Sequence, residues 1–206
     1  MLVSTPTSYP EAIVLRDGRE VSISPITPAA KPLIVAAMAG LSERSSRQRF
    51  FSVRYRLSDA ELERMTALDG VSAFALGAVE RNCGAPPRGV GVARYARDDD
   101  PRSAETAILV VDDYQGVGLG TALVTRLVAE AQLRGIEQLR ALVLPDNDVV
   151  LAMFAKYAPS IAVVRYGSEL RAAIPTRLAR RMFGDPRPAV ALNGLDPRGP
   201  RQARPA

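Results

Sequence analysis

The stretch Val110-Val111-Asp112-Asp113-Tyr114-Gln115-Gly116-Val117-Gly118-Leu119-Gly120-Thr121 places three glycines within five residues, between a strand-like run and a helical pattern. Glycine accepts positive φ and lets a ligand come close to the backbone. The first turn of a helix leaves amide N–H groups without internal partners at the positive end of the dipole. We therefore expect this glycine loop to bind a phosphate or diphosphate. A loop that only lets the helix pack close to the strand is the alternative.

The glycine loop does not match two common phosphate motifs. Thr121-Ala122 supplies no lysine after the last glycine, so the stretch is not a P-loop. The dinucleotide fingerprint G-x-G-x-x-G fails as well, because its last position would fall on Thr121 or Leu123.

The segments around the glycine loop predict an α/β fold with a mixed sheet. The strand-like runs Val71–Glu80, Gly89–Arg97 and Glu105–Asp112 are joined by short turns, which favours an antiparallel meander. The helical pattern Leu119–Arg134 then leads into the run Leu139–Leu144. A strand, a helix and a strand in this order predict one parallel β-α-β crossover.

Further elements are predicted on both sides of this unit. Ser58 and Glu61 form a capping-box pattern that begins a short helix. The folded domain is expected over residues 10–174, followed by a Pro/Arg-rich basic tail over 175–206 that is expected to be disordered. The other predicted elements are two strands, two helices, one further helix and two closing strands, at Ala12–Arg16, Glu20–Ile26, Pro28–Ala39, Ser42–Phe51, Asn147–Tyr157, Ile161–Tyr166 and Glu169–Ile174.

The composition excludes several kinds of active site. The 206 residues contain no histidine, so no imidazole base and no histidine-ligated zinc site is available. Cys83 is the lone cysteine, which excludes intramolecular disulfides and cysteine-rich metal sites, and we expect no metal. A general base must therefore be a carboxylate, a tyrosine, Lys31 or Lys156.

The net charge of +5 comes from the end of the chain. Residues 171–206 carry eight arginines and two aspartates, whereas the rest is nearly balanced. Phe183 is the one aromatic residue among the late arginines, so a solvated tail is favoured over a nucleic-acid arm. There is no apolar run long enough to span a bilayer and no basic segment leading an apolar stretch at the start. A cytoplasmic protein without a membrane or nucleic-acid partner is the expectation.

The sequence Gln115-Gly116-Val117-Gly118-Leu119-Gly120 resembles the Q/R-x-x-G-x-G/A signature of the GNAT superfamily of acetyl-CoA-dependent N-acetyltransferases. Three flanking segments are similar to the bacterial Pat-like protein lysine acetyltransferases: Val21–Pro28, the Ser/Arg segment Leu41–Phe51, and Ala104-Glu105 ahead of the loop. The resemblance covers about residues 12–174. It implies the GNAT fold, in which the strand before the loop and the strand after the helix splay apart.

The resemblance also implies how acetyl-CoA would bind. The loop would hold the pyrophosphate through backbone N–H groups, and Val110 and Val111 would pair their backbone with the pantetheine arm. Asn147 would contact pantetheine, although it is equally suited to be the N-cap of its own helix. The loop residues implied in cofactor binding are Gln115, Gly116, Val117, Gly118, Leu119, Gly120 and Thr121.

The resemblance assigns catalysis to a carboxylate. Glu105, which follows Ala104, would be the general base; an outward-facing polar strand residue is the bland alternative. A backbone N–H at Val110 or Val111 would stabilise the oxyanion. Many family members place a tyrosine acid seven residues after the asparagine, but Phe154 stands there. Tyr157, three residues further, is the candidate proton donor, with water as the alternative.

The function expected from this resemblance is transfer of an acetyl group from acetyl-CoA to a primary amine by direct attack in a ternary complex. A protein lysine is the acceptor that the Pat-like branch implies. Two alternatives stay open at this point: a small-molecule amine acetyltransferase, and a non-catalytic acyl-CoA-binding sensor module. The sequence leaves the oligomeric state open.

Overall fold

The computed structural model describes residues 8–52, 56–81, 84–155 and 161–178, without the side chains of residues 152–154. Tyr157 and the tail beyond residue 178 therefore lie outside the described residues. Within them, two 3₁₀ turns cover Pro28–Ala30 and Asp112–Tyr114. The helices are α1 (Lys31–Ala39), α2 (Glu43–Phe50), α3 (Asp59–Thr66), α4 (Leu119–Leu133) and α5 (Asp148–Ala155). The strands are β1 (Glu11–Val14), β2 (Glu20–Pro25), β3 (Ala73–Glu80), β4 (Gly89–Arg97), β5 (Ser103–Val110), β6 (Gln138–Val143), β7 (Ala162–Tyr166) and β8 (Glu169–Pro175).

The eight strands form a single mixed sheet in the order β1-β2-β3-β4-β5-β6-β8-β7. The first five strands are antiparallel neighbours, which confirms the predicted meander. β5 and β6 are parallel and are joined through α4, which confirms the predicted crossover. The fold class is therefore the α/β mixed sheet that the sequence predicted.

The parallel pair β5–β6 is joined over only a short length. Its register covers Ser103 to Glu105 of β5 against Gln138 to Arg140 of β6. On its other side, β5 stays paired with β4 from Ala104 through Val110. From Thr106 onward, β5 therefore has one edge that β6 does not cover. We call this the open edge of β5.

Helix α4 packs on one face of the sheet and contributes a row of buried residues to the core. Leu119, Leu123 and Leu127 are almost completely buried against it. Gly91 of β4 permits this close approach, because a Cβ there would lie 2.9 Å from Leu123 Cδ1. Burying each leucine side chain contributes roughly 1.5–3 kcal/mol, so this contact holds the first turn of α4 firmly beside β5.

The helix starts follow from local sequence. The Ser58–Glu61 capping box is present, with each residue bonding the other's backbone N–H. Ser42 caps α2 by accepting a hydrogen bond from the Ser45 amide. The predicted strand Glu105–Asp112 is shifted: it begins at Ser103 and ends at Val110, because residues from Asp112 coil into a 3₁₀ turn.

Candidate active site

The glycine loop presents a helix start that no side chain caps. Gly116 and Gly118 have φ values of +76° and +98°, and Gly118 is the N-cap of α4 without a side-chain hydrogen bond. The amide of Gln115 is already bonded to the Asp112 carbonyl. The amides from Gly116 to Thr121 therefore lie where a helix start leaves N–H groups without internal partners and where the helix dipole is positive.

The Gln115 side chain holds the glycine loop in place. Its Nε2 donates to the Ser45 hydroxyl at 3.0 Å and to the Val110 carbonyl at 3.1 Å. These two bonds connect the loop to α2 and to the end of β5. The side chain thus positions the loop rather than extending into the phosphate cradle.

The two aspartates before the loop, Asp112 and Asp113, also position it. Asp112 accepts hydrogen bonds from the Ser42 amide at 2.9 Å, the Ser42 hydroxyl at 2.6 Å and the Ser45 hydroxyl at 2.8 Å. Burial raises the pKa of Asp112, but these bonds together outweigh burial and lower it. Asp113 accepts two hydrogen bonds from the Arg88 guanidinium, at 2.7 and 2.9 Å, and this pair lowers its pKa. Both carboxylates are therefore committed to holding the chain.

The open edge of β5 presents a particular set of amides. The Val111 amide donates to the Val90 carbonyl of β4 at 3.1 Å, so it faces away from the open edge. Backbone groups alternate along a strand, and the Val110 carbonyl meets Gln115 on the other side. The N–H groups of Val110 and Ile108 therefore point to the open edge. Sequence reasoning missed Ile108, because only the β4–β5 register reveals its direction.

The gap between β5 and β6, which widens after their short paired region, is bounded on the side opposite β5 by the segment after β6. Asn147 caps α5, since its Oδ1 accepts a hydrogen bond from the Val150 amide at 3.4 Å. The N-cap interpretation of Asn147 is thus confirmed, and its contact with pantetheine stays a prediction. Arg47 of α2 forms an ion pair with Asp146 next to it. Helix α2 therefore connects both sides of the opening, through Asp112 and through Asp146.

A pocket of about 600 Å³ lies on the face of the sheet opposite α4. Glu105 is at its floor, on the last residue of β5 that pairs with β6. Its side chain is exposed to the pocket, next to the point where the two strands separate. The lining residues are Arg49, Phe50, Leu57, Glu61, Arg64, Met65, Ala67, Leu68, Asp69, Ser72, Ala73, Arg94 and Glu105.

The three carboxylates of the pocket differ in what they bind. Glu61 bonds Ser58 in the capping box of α3. Asp69 accepts hydrogen bonds from the amides of Val71, Ser72 and Ala73, which lower its pKa to about 2. Within the described part of the chain, no group donates a hydrogen bond to Glu105. Glu105 is thus the pocket carboxylate that is free to accept a proton from a bound molecule.

The described residues contain no group of three or more His, Cys, Asp or Glu side chains arranged to hold a metal ion. None of their helices has the length and apolar character required to cross a bilayer.

The fold is of the acyl-CoA N-acyltransferase type, because its mixed sheet contains a parallel pair, β5 and β6, that separates after three residues. The uncapped, glycine-rich start of α4 and the carboxylate of Glu105 lie next to this separation. Comparison with known families agrees, because the profile of the acetyltransferase (GNAT) family matches residues 44–158. The chain belongs to this family of acetyltransferases, whose co-substrate is acetyl-CoA.

Individual relatives place the chain near the Pat-like branch. It is 30% identical to an acetyltransferase of Pseudomonas aeruginosa over 125 residues, covering 61% of this chain and 67% of the relative. It is also 30% identical to the acetyltransferase Pat of Mycolicibacterium smegmatis over 139 residues. That match covers 67% of this chain but only 40% of Pat. The chain therefore corresponds to less than half of that relative.

A solved structure gives the same result. The GNAT domain of S. lividans PAT superposes with a TM-score of 0.70 at 28% identity. The superposition covers 84% of this chain and 99% of that domain. The resemblance to the Pat-like branch that the sequence suggested is confirmed at the level of family and fold.

Proposed function

We propose that this chain transfers an acetyl group from acetyl-CoA to a primary amine, with a protein lysine as the acceptor and Glu105 as the general base. The observation that carries the proposal is the position of Glu105. It is the uncommitted carboxylate of the pocket, and it lies where β5 and β6 separate. The protein lysine is supported by the resemblance to the Pat-like branch.

A base is needed because the acceptor amine is protonated at neutral pH. A lysine with a pKa near 10.4 is a free amine in only about one molecule in a few thousand at pH 7. This deficit adds about 4–5 kcal/mol to the barrier. Removal of the proton by Glu105, directly or through one water, offsets it.

The acetyl donor would lie along the open edge of β5. The amides from Gly116 to Thr121 suit the pyrophosphate, because the start of α4 offers unpaired N–H groups and no competing side-chain cap. The pantetheine arm would then run beside Val110 and pair with its backbone as an added strand does. Asn147, on the far side of the opening, would contact the same arm.

The oxyanion donor can be placed by distance along the strand. Val110 is five residues from Glu105, which is about 17 Å in an extended chain. A base at Glu105 cannot reach an amine that attacks a carbonyl held so far away. Ile108 is about 10 Å along, and its N–H faces the same open edge. We therefore assign oxyanion stabilisation to the Ile108 amide, while Val110 holds pantetheine.

The reaction then balances in a single ternary complex. Glu105 takes the first proton from the ammonium, directly or through water, and the neutral amine nitrogen then forms a bond to the thioester carbon. The second proton of that nitrogen passes to water as the tetrahedral intermediate forms. The oxyanion is stabilised by the Ile108 N–H until the carbon–sulfur bond breaks. The thiolate leaves and takes a proton from water or from Tyr157, the donor that the sequence predicts.

Glu105→Gln tests this proposal. The variant keeps the size of the side chain and cannot accept the proton, so kcat should fall roughly 10²- to 10⁴-fold. Binding of acetyl-CoA, measured by calorimetry, should stay within about twofold of the unsubstituted protein. Turnover is followed by release of free CoA with a panel of lysine peptides, polyamines and aminoglycosides.

The controls separate the proposal from its alternatives. Glu61→Gln removes another carboxylate of the pocket, one that caps α3, and should leave kcat within a few-fold. Turnover confined to polyamines or aminoglycosides would replace the lysine acceptor by a small-molecule amine. Tight acetyl-CoA binding without turnover of any acceptor would favour the sensor module and overturn the enzyme.

A further inference from the structure

The pocket contains a half-buried cation, Arg94, that has no carboxylate partner. Arg94 is on β4, directly opposite Ala107 of β5, and lines the pocket. Glu105 pairs with Ala96 two residues further along β4, so both side chains are on the same face of the sheet. Among the residues that the structure describes, none accepts a hydrogen bond from the Arg94 guanidinium, and no carboxylate oxygen lies within 4.0 Å of it.

Two other arginines of the described residues, the buried Arg126 and the partly buried Arg134, are paired. Arg126 of α4 binds both carboxylate oxygens of Glu11. Arg134 bonds the Glu130 carboxylate and donates to the Gly70 carbonyl. Burying a guanidinium without such partners is costly, and proteins rarely keep one without a reason. A half-buried guanidinium without such a partner, as in Arg94, is therefore suited to bind an anion.

Glu105 does not supply that anion. The two residues are diagonal neighbours on adjacent strands, at a Cα spacing of about 7–8 Å. Burial lowers the pKa of the Arg94 guanidinium, and the attraction of Glu105 offsets this only in part. A guanidinium stays charged under these conditions. The pocket floor thus presents a base and, one diagonal step away, a desolvated cation.

We propose that Arg94 binds a carboxylate of the acceptor, so that the enzyme selects amines with a neighbouring carboxylate. The inference rests on the proposed function, because it takes the pocket as the acceptor site. A planar guanidinium with five donors fits a carboxylate through two parallel hydrogen bonds. With the amine at Glu105, the carboxylate of the acceptor reaches Arg94 along the diagonal of about 7–8 Å between the two residues.

Two kinds of acceptor carry both an amine and a nearby carboxylate. One is a peptide in which an aspartate or glutamate flanks the acetylated lysine. The other is a free diamino acid, whose α-carboxylate belongs to the same molecule as the amine. Both present an ammonium and a carboxylate several ångströms apart, and the experiment distinguishes them.

The test compares acceptors that differ only in the carboxylate. One pair consists of lysine peptides with aspartate or asparagine on both sides of the lysine, and the other pair is L-lysine and cadaverine. We expect kcat/KM to favour the acidic member of at least one pair by about 10- to 100-fold. The preference, measured as the ratio of kcat/KM within each acceptor pair, should disappear in Arg94→Met and survive in part in Arg94→Lys. Arg102→Met, a loss of charge on an exposed residue outside the pocket, should keep the full preference.

The outcomes separate this inference from the proposed function. Equal rates with acidic and neutral acceptors in the unsubstituted protein would overturn the role of Arg94 and leave the proposed function standing. An equal slowing of all acceptors in Arg94→Met would show that Arg94 serves Glu105 instead, and would also overturn it. The absence of acetylation of every acceptor would overturn the proposed function and this inference together.

Discussion

The two faces of the central sheet treat charge in opposite ways. On the face covered by α4, Arg126 is 4% exposed and is bound to Glu11, which is 11% exposed. On the pocket face, Arg94 and Glu105 lie one diagonal step apart and make no ion pair in the described structure. The first face satisfies its charges internally and contributes to stability. The second leaves them for a ligand, and the proposed chemistry takes place there.

The largest expected effect is a loss of stability on the face covered by α4, caused by removal of the Arg126–Glu11 ion pair. Arg126→Met leaves Glu11 buried and unpaired, and should lower the free energy of unfolding by about 3–5 kcal/mol. Arg94→Met removes a desolvated cation that has no partner, so it should change stability by less than about 1 kcal/mol in either direction. Urea denaturation of both variants measures the difference.

A matched control belongs to that comparison. Combining Arg126→Met with Glu11→Leu removes both charges and should regain most of the lost stability. Should Arg94→Met destabilise the fold as much as Arg126→Met does, the contrast between the two faces would be wrong.

The second effect concerns the N-terminus of α4, where the helix that packs on the sheet begins beside the open edge of β5. Both stability and acetyl-CoA affinity are expected to change there. Gly118 has a φ of +98°, and a Cβ there would lie 3.6 Å from the Arg16 side chain. Gly118→Ala should therefore cost about 1–2 kcal/mol in stability and weaken acetyl-CoA binding by about tenfold, because the first amides of α4 are displaced.

Gly120 provides the control within the same loop. A Cβ at this position would meet Val110 Cγ2 at 3.7 Å and Ile108 Cδ1 at 3.8 Å, which are ordinary contacts. Gly120→Ala should thus keep acetyl-CoA affinity within a few-fold. Equal losses of affinity in the two variants would mean that the volume near the loop matters, and not the backbone conformation of Gly118.

The sequence predicted the parts of the fold that local chemistry determines. The Ser58–Glu61 capping box, the bounds of Gly89–Arg97 and the start of α4 at Leu119 depend on neighbouring residues alone, and each is observed. The end of β5 was misplaced because Asp112 bonds to Ser42 and Ser45 of α2, some seventy residues away.

The roles proposed for Ile108 and Arg94 could not be predicted in this way. Ile108 is assigned through the direction of its amide, which depends on the register with β4. Arg94 lies in a strand whose alternating pattern is common, so the sequence does not single it out. That it has no ion-pair partner among the described residues is known only when its neighbours in the sheet are known. The signal that would have pointed to Arg94 is an arginine flanked by small and apolar residues in the middle of a central strand.

The smallest effect is a pH-dependent change in stability at Asp69, a pocket-lining residue whose carboxylate accepts hydrogen bonds from backbone amides. Asp69 holds the turn before β3, and its pKa of about 2 lies below the ordinary value of 3.8 because it accepts hydrogen bonds from three amides. A lowered pKa means that the ionised form favours the folded state, so its contribution is complete above pH 4 and is lost as the pH falls towards 2. Asp69→Asn should therefore be less stable than the unsubstituted protein at pH 7, with a gap that narrows below pH 4 in urea midpoints. The exposed Asp99→Asn should show no such gap, and a constant gap for Asp69→Asn down to pH 2.5 would contradict the assignment.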